Sequence, residues 1–212
     1  MNENKSKVVY NLIIVDESGS MSIIREQAFT GMNETLQTIR KMQEMYPDQE
    51  QRVTLLTFDS DHTSWHYDNA LASQTNDLKW GDYNPGGCTP LYDAIGKGVS
   101  KVNSQINEGD HVLVTIITDG EENSSNEWTL KMVQNLIEKL KKQNWTFTLI
   151  GTDNLDVKTM ANSFNIDNHM KFKEDAAGTI NMFKKERRCR ENFMFRLSKN
   201  IETLAGKFFD ED

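Results

Sequence analysis

The sequence is poor in the residues that mark several specialised classes. It has two cysteines in 212 residues, Cys88 and Cys189. Two thiols cannot build a disulfide framework, and their spacing fits no zinc motif. Three prolines exclude a proline-rich linker or repeat. No apolar run approaches the roughly 18 residues that a membrane-spanning helix needs. The polar start, Met1 to Lys7, and the short broken run Val8 to Val15 do not make a signal peptide. Basic residues are the minority: 24 Lys plus Arg stand against 32 Asp plus Glu, a net charge of −8. That balance argues against nucleic-acid or membrane-surface partners, which favour Lys and Arg. There is no G-x-x-x-x-G-K-[ST] loop for nucleotide phosphates and no G-x-S-x-G elbow for acyl transfer. The expectation is a reduced, cytoplasmic, globular chain in which residues 1–212 form a single domain.

What is present is an alternation of two patterns. Short β-rich apolar runs occur at Val8–Val15, Arg52–Phe58, His111–Thr118 and Trp145–Ile150. Weaker ones occur at Thr63–Tyr67 and Met170–Lys173, the latter with the charge alternation of an edge strand. Between them lie stripes of helical period. Ala28, Met32, Leu36 and Ile39 form the first, ending near Tyr46 before Pro47. Leu91, Ala94, Ile95, Val99 and Val102 form the second. Leu130, Val133, Ile137 and Leu140 form the third, with Ser124 and Glu127 in capping-box spacing ahead of them. Val157 to Phe164 makes a short fourth helix, and Ile180, Phe183, Met194, Leu197, Ile201, Leu204 and Phe208 mark a long C-terminal one. Strands apolar on both faces and separated by helices predict an α/β fold. Its sheet is Rossmann-like, doubly wound and mostly parallel, with about six strands covered on both sides.

The residues that carry chemistry sit at strand ends. The first strand runs into Asp16-Glu17-Ser18-Gly19-Ser20, and the fourth into Thr118-Asp119-Gly120. A glycine-rich loop, Pro85-Gly86-Gly87-Cys88-Thr89-Pro90, leads into the second helix. In a doubly wound sheet, ligands bind beyond the C-terminal strand ends where strand order reverses. If strands one and four meet there, Asp16, Ser18, Ser20, Thr89 and Asp119 converge. Two carboxylates and three hydroxyls are hard oxygen donors that suit Mg2+, and also Mn2+ or Ca2+. Neutral hydroxyls leave such a cation partly uncompensated, so it attracts a further carboxylate from outside.

These five residues resemble the metal-ion-dependent adhesion site of von Willebrand factor type A (vWA) domains. The stretch Gly87-Cys88-Thr89-Pro90-Leu91 and Thr118-Asp119-Gly120 are similar to bacterial members of that family. The resemblance covers about residues 8–205, leaving 1–7 and 206–212 as terminal extensions. It implies a stand-alone bacterial vWA domain in which Ser18, Ser20 and Thr89 contact a divalent cation. Asp16 and Asp119 would bind it directly or through water. It also implies a protein partner that supplies Asp or Glu to the metal. Some free-standing relatives work with AAA-type ATPases or in stress-response complexes.

Other residues have plainer readings. Asp59 and Asp61 read as a solvated turn, and His62 and His66 as surface or packing residues. Glu121 and Glu122 flank Asp119, and Glu17 and Met21 lie in the metal loop, where they could touch a partner. Cys88 and Cys189 read as ordinary packing thiols, although Cys88 directly precedes Thr89. The basic run Lys184 to Arg190 reads as a solvated helix face, with docking to an acidic partner as the alternative. Two function classes result. One is a non-enzymatic, metal-dependent protein-binding module. The other is a Mg2+-dependent phosphatase or phosphotransferase using Asp16, although such chemistry needs a second Asp where Ser18 stands.

Overall fold

The apolar runs become strands because their side chains alternate between two buried faces. In β1 (Lys7–Asp16), Tyr10, Leu12 and Ile14 point to one layer of core, while Val9, Ile13 and Val15 point to the other. The computed structural model describes residues 7–199, 201, 208 and 209. Leu204, expected in the C-terminal helix, lies outside them.

Six strands form one sheet: β1, β2 (Gln49–Phe58), β3 (Thr63–Leu71), β4 (His111–Thr118), β5 (Trp145–Thr152) and β6 (Asn168–Phe172). Their spatial order is β3-β2-β1-β4-β5-β6, parallel throughout except for the antiparallel edge strand β3. β2 and β3 are longer than their apolar runs. β3 carries exposed Asp68 and a register shift against β2, so polarity masks its length in sequence.

Five helices cover the sheet. α2 (Leu91–Asn103), α3 (Leu130–Leu140) and α4 (Val157–Ser163) share a core with Leu12, Ile14, Val114 and Phe147. α1 (Arg25–Met45) and α5 (Ala176–Ser198) pack on the opposite face with Ile13, Val15, Leu55 and Ile117. Each fully buried Ile or Leu is worth about 1.5–3 kcal/mol over an exposed one. A 3-10 turn, Gly19–Ile24, leads into α1.

The start of α3 corrects the capping-box expectation. Thr129 is the N-cap, its side chain accepting from the Met132 N–H at 3.4 Å. Glu122 already accepts from the Ser124 and Ser125 amides at 2.9 and 2.6 Å. Asp93 of α2 takes the next three amides, of Asn126, Glu127 and Trp128. Residues 124–128 are thus held as a loop by carboxylates, with no need of helical bonds.

α1 and α5 approach closely at Gly31. A Cβ there would sit 2.1 Å from the ring of Phe183, which is 3% exposed. Gly31→Ala should therefore lower the urea midpoint. Overpacking costs about 1–3 kcal/mol and outweighs the helix-propensity gain of about 1 kcal/mol.

The basic run of α5 is not wholly a solvated face. Lys184, Arg187 and Arg188 are exposed, but Glu186 and Arg190 are 1% and 0% exposed. Arg190 pairs with Glu186 Oε1 through Nη2 at 2.6 Å and also donates to Asn11 Oδ1 of β1 at 2.7 Å and Thr115 Oγ1 of β4 at 2.9 Å. A helical period places residues 186 and 190 on one stripe, turned toward the sheet.

Candidate functional site

β1 and β4 are adjacent, and from them the chain winds outward in opposite directions, so the switch point lies between them. Val15 pairs with Ile117, which puts Asp16 and Thr118 side by side at the strand ends. Thr118 Oγ1 donates to Asp16 Oδ2 at 2.6 Å. Asp16 Oδ1 accepts the Ser18 backbone N–H at 2.8 Å, which folds the loop back over the strand end. Ser18 and Ser20 bring their hydroxyl oxygens to 3.2 Å, and Ser20 Oγ donates to Asp119 Oδ1 at 2.8 Å. The glycine-rich loop joins them: Gly19 N–H donates to the Gly87 carbonyl at 3.2 Å, and Gly87 takes a φ of 65° that favours glycine. Thr89 Oγ1 lies 2.9 Å from where a Cβ on Gly120 would stand, so Thr89 sits directly against the Asp119 turn. The five residues singled out from sequence thus occupy one small volume. Ser20 is exposed, whereas Asp16, Ser18, Thr89 and Asp119 are buried.

The electrostatics of this cluster are unusual. Burial pushes the Asp16 carboxyl above the ordinary carboxylate range, against hydrogen bonds from Thr118 and Ser18 that pull it down. Burial also raises Asp119, to about 7, with the charges of Asp16 and Glu174 adding to it and the Ser20 hydrogen bond opposing it. Asp119 Oδ2 is buried and has no hydrogen-bond partner. Two acidic groups raised by burial, one with an orphan oxygen, fit a site for a positive charge. The donor set is oxygen alone, which matches hard cations.

Supporting residues escaped the sequence reading. Tyr83, fully buried, donates its hydroxyl to the Asp16 carbonyl at 2.8 Å. Burial, followed by the charges of Asp16, Glu17 and Asp119, holds that phenol well above its ordinary range. Asn123 clamps Thr89, accepting its N–H at 2.8 Å and donating its own N–H to the Thr89 carbonyl at 3.1 Å. Thr118 had a visible signal, standing beside Asp119; Tyr83 and Asn123 had none.

Three neighbours change role. Glu17 and Met21 are buried, and Glu17 Oε1 accepts the Asn84 N–H, so neither faces outward. Glu122 spends both oxygens on Tyr92, Ser124 and Ser125, which leaves Glu121 as the exposed carboxylate of that pair. Cys88 is exposed rather than packed, while Cys189 is buried. Asp59, Asp61 and His62 bring ligand-type atoms within 4.8 Å of one another. Asp59 Oδ1 accepts the Asp61 and His62 amides, both at 2.7 Å, so this is a self-capped turn. His66 bonds Thr57 Oγ1 at 3.0 Å, and burial lowers its pKa. A cavity of about 710 Å³ between α3 and the end of α4, lined by Lys141, Asn162 and Asp167, contains none of the five residues.

The model of the von Willebrand factor type A domain matches residues 12–185. The chain belongs to the von Willebrand factor type A family. Domains of this vWA family commonly mediate metal-dependent protein interactions. Solved structures with the same fold include the PilB minor pilin from Streptococcus sanguinis, at 12% identity and a TM-score of 0.58 over 95% of this chain and 64% of that one. The pilus adhesin SpaC from Lactobacillus rhamnosus GG is similar at 15% identity and 0.64, over 95% of this chain and 31% of that one. The vWF domain of the type V pili tip protein Mfa5 from Porphyromonas gingivalis aligns at 11% identity and 0.61, over 94% of this chain and 97% of that domain. This vWA chain therefore spans about two thirds of the pilin and under a third of the adhesin. At these identities the likeness is one of fold. A comparison with curated proteins returns no match. Among the described residues, no helix of this vWA domain is long and apolar enough to cross a membrane.

Proposed function

We propose that the chain is a protein-binding module whose complete adhesion site holds a divalent cation, Mg2+ first and Mn2+ or Ca2+ as alternatives. The supporting observation is the buried, partnerless Asp119 Oδ2 beside the raised Asp16 carboxyl. In this reading Ser18, Ser20 and Thr89 hold the cation with neutral oxygens, and Asp16 and Asp119 bind it directly or through water. The bound cation supplies attraction for an Asp or Glu carboxylate of a partner protein. Thr118 and Tyr83 hold the Asp16 segment still, and Asn123 holds Thr89, so little ordering remains for the moment of binding.

The module acts without catalysis. A phosphatase or phosphotransferase built on Asp16 needs a second Asp two residues on, and Ser18 stands there. We place the module in the cytoplasm as a bacterial, stand-alone component of a complex, with an AAA-type ATPase or a stress-response assembly as the partner class. The exposed, unpaired Cys88 at the rim suits a reducing compartment.

Mg2+ or Mn2+ should raise the melting temperature of the wild type, and Thr89→Ala should remove the rise. A wild type indifferent to all three metals would sink the reading. Pull-downs with and without EDTA should then name a partner that EDTA releases.

A further inference from the structure

The segments that carry the candidate site also hold two exposed apolar side chains that the metal reading leaves unused. Trp80 is 50% exposed and Ile23 is 69% exposed. Ile23 lies in the same 3-10 turn as Ser20, three residues on. Trp80 opens the segment that runs into the glycine-rich loop.

Trp80 is exposed without being loose. The Arg25 guanidinium lies 4.4 Å over its ring, and Phe29 meets it edge-on with centroids 5.2 Å apart. The same guanidinium ties down the next residues of the segment, donating to the Tyr83 carbonyl at 3.0 Å and to Asn84 Oδ1 at 2.6 Å. That segment is in turn stitched to the metal loop. Tyr83 O–H donates to the Asp16 carbonyl, and Gly86 N–H to the Glu17 carbonyl, both at 2.8 Å. The indole, the isoleucine and the five oxygen-bearing residues therefore sit on one hydrogen-bonded piece. An aromatic fixed before contact loses little rotamer freedom on binding, and Trp, Tyr and Arg are the residue types enriched among energetic anchors of interfaces.

We infer that Trp80 and Ile23 are the apolar half of a binding surface whose polar half is the cation site. The occupant is a protein segment with an Asp or Glu and, close beside it, an aromatic or aliphatic side chain. The inference rests on the metal-site reading, since it is the cation that takes the carboxylate.

The test is a random peptide library displayed on phage and panned on the whole chain in Mg2+, with EDTA elution. Recovered sequences should share an acidic residue with Phe, Trp, Leu or Ile next to it. Their synthetic versions should bind Trp80→Ala and Ile23→Ser about tenfold or more weakly, while both variants keep the wild-type thermal shift with Mg2+. Ile23→Ser, at a solvent-facing side chain, keeps the test decisive where Trp80→Ala disturbs its loop. Acid-bearing peptides without an apolar preference would overturn the inference. So would equal binding by both variants, failure to recover any peptide, or a Mg2+-dependent homodimer that buries Trp80. In each of those cases the Mg2+ shift of the wild type would persist. Its absence would instead overturn the metal reading and this inference together.

Discussion

Replacing Arg190 with alanine should cost about 3–5 kcal/mol, a large share of the roughly 5–15 kcal/mol that keeps an ordinary domain folded. The guanidinium is 0% exposed, and four hydrogen bonds hold it, two to Glu186 and one each to Asn11 and Thr115. Removing it leaves the Glu186 carboxylate buried without its counter-charge, and Glu186 Oε2 already lacks a partner. Asn11 Oδ1 and Thr115 lose a donor as well, and unsatisfied buried groups carry the full desolvation penalty. The double variant Arg190→Met with Glu186→Met should lose less than Arg190→Ala alone, because it removes the orphaned charge along with its partner. Urea midpoints of the two variants measure this. A loss below about 1 kcal/mol in Arg190→Ala would show that water reaches the pair.

Asp119→Asn should stabilise the metal-free protein and abolish its response to Mg2+. The ionised carboxylate is unfavourable in the metal-free fold, since its pKa stands near 7 where an ordinary aspartate has 3.8. The sign is that of a raised group: the fold holds this proton more tightly than the unfolded chain does. Its contribution to stability is full below about pH 4 and is lost as pH rises through about 7. At pH 8 without metal the asparagine variant should therefore melt above the wild type, and with Mg2+ the order should reverse. The same proton competes with the cation. Apparent metal affinity of the wild type should fall about tenfold per pH unit below 7, and stay nearly level above 8. Titration calorimetry at pH 6 and pH 8 would show it. An affinity unchanged between them would mean that Asp119 is already ionised at pH 6 or takes no part in holding the ion.

Legibility in the sequence tracked the range of the interactions involved. β1 and β4 announced themselves as apolar runs because both faces of each are buried. The five oxygen-bearing residues could be picked out because each stands at a strand end or in a glycine-rich loop. What stayed hidden depends on partners far along the chain. Arg190 sits in a run of basic residues and reads as solvated, yet its partner Asn11 lies 179 positions away. Ser124 and Glu127 have capping-box spacing, but their amides are taken by Glu122 and by Asp93 of another helix. Tyr83 and Asn123 look like ordinary loop residues until the fold brings them to Asp16 and Thr89. The C-terminal strand ends were expected to meet, and β1 and β4 do pair; that the five residues then hold an ion is the proposal to be tested.

The position of β1 bears on synthesis. It precedes both of its neighbours in the chain and ends between β2 and β4, with Val8 to Val15 wholly or largely buried. As the chain leaves the ribosome this strand has two open edges. One closes when Gln49–Phe58 arrives, and the other stays open until His111–Thr118 emerges. For that interval a β-branched apolar segment is available to any other nascent strand. Asn11, in its middle, is the residue that interrupts the run while the chain is still waiting for α5.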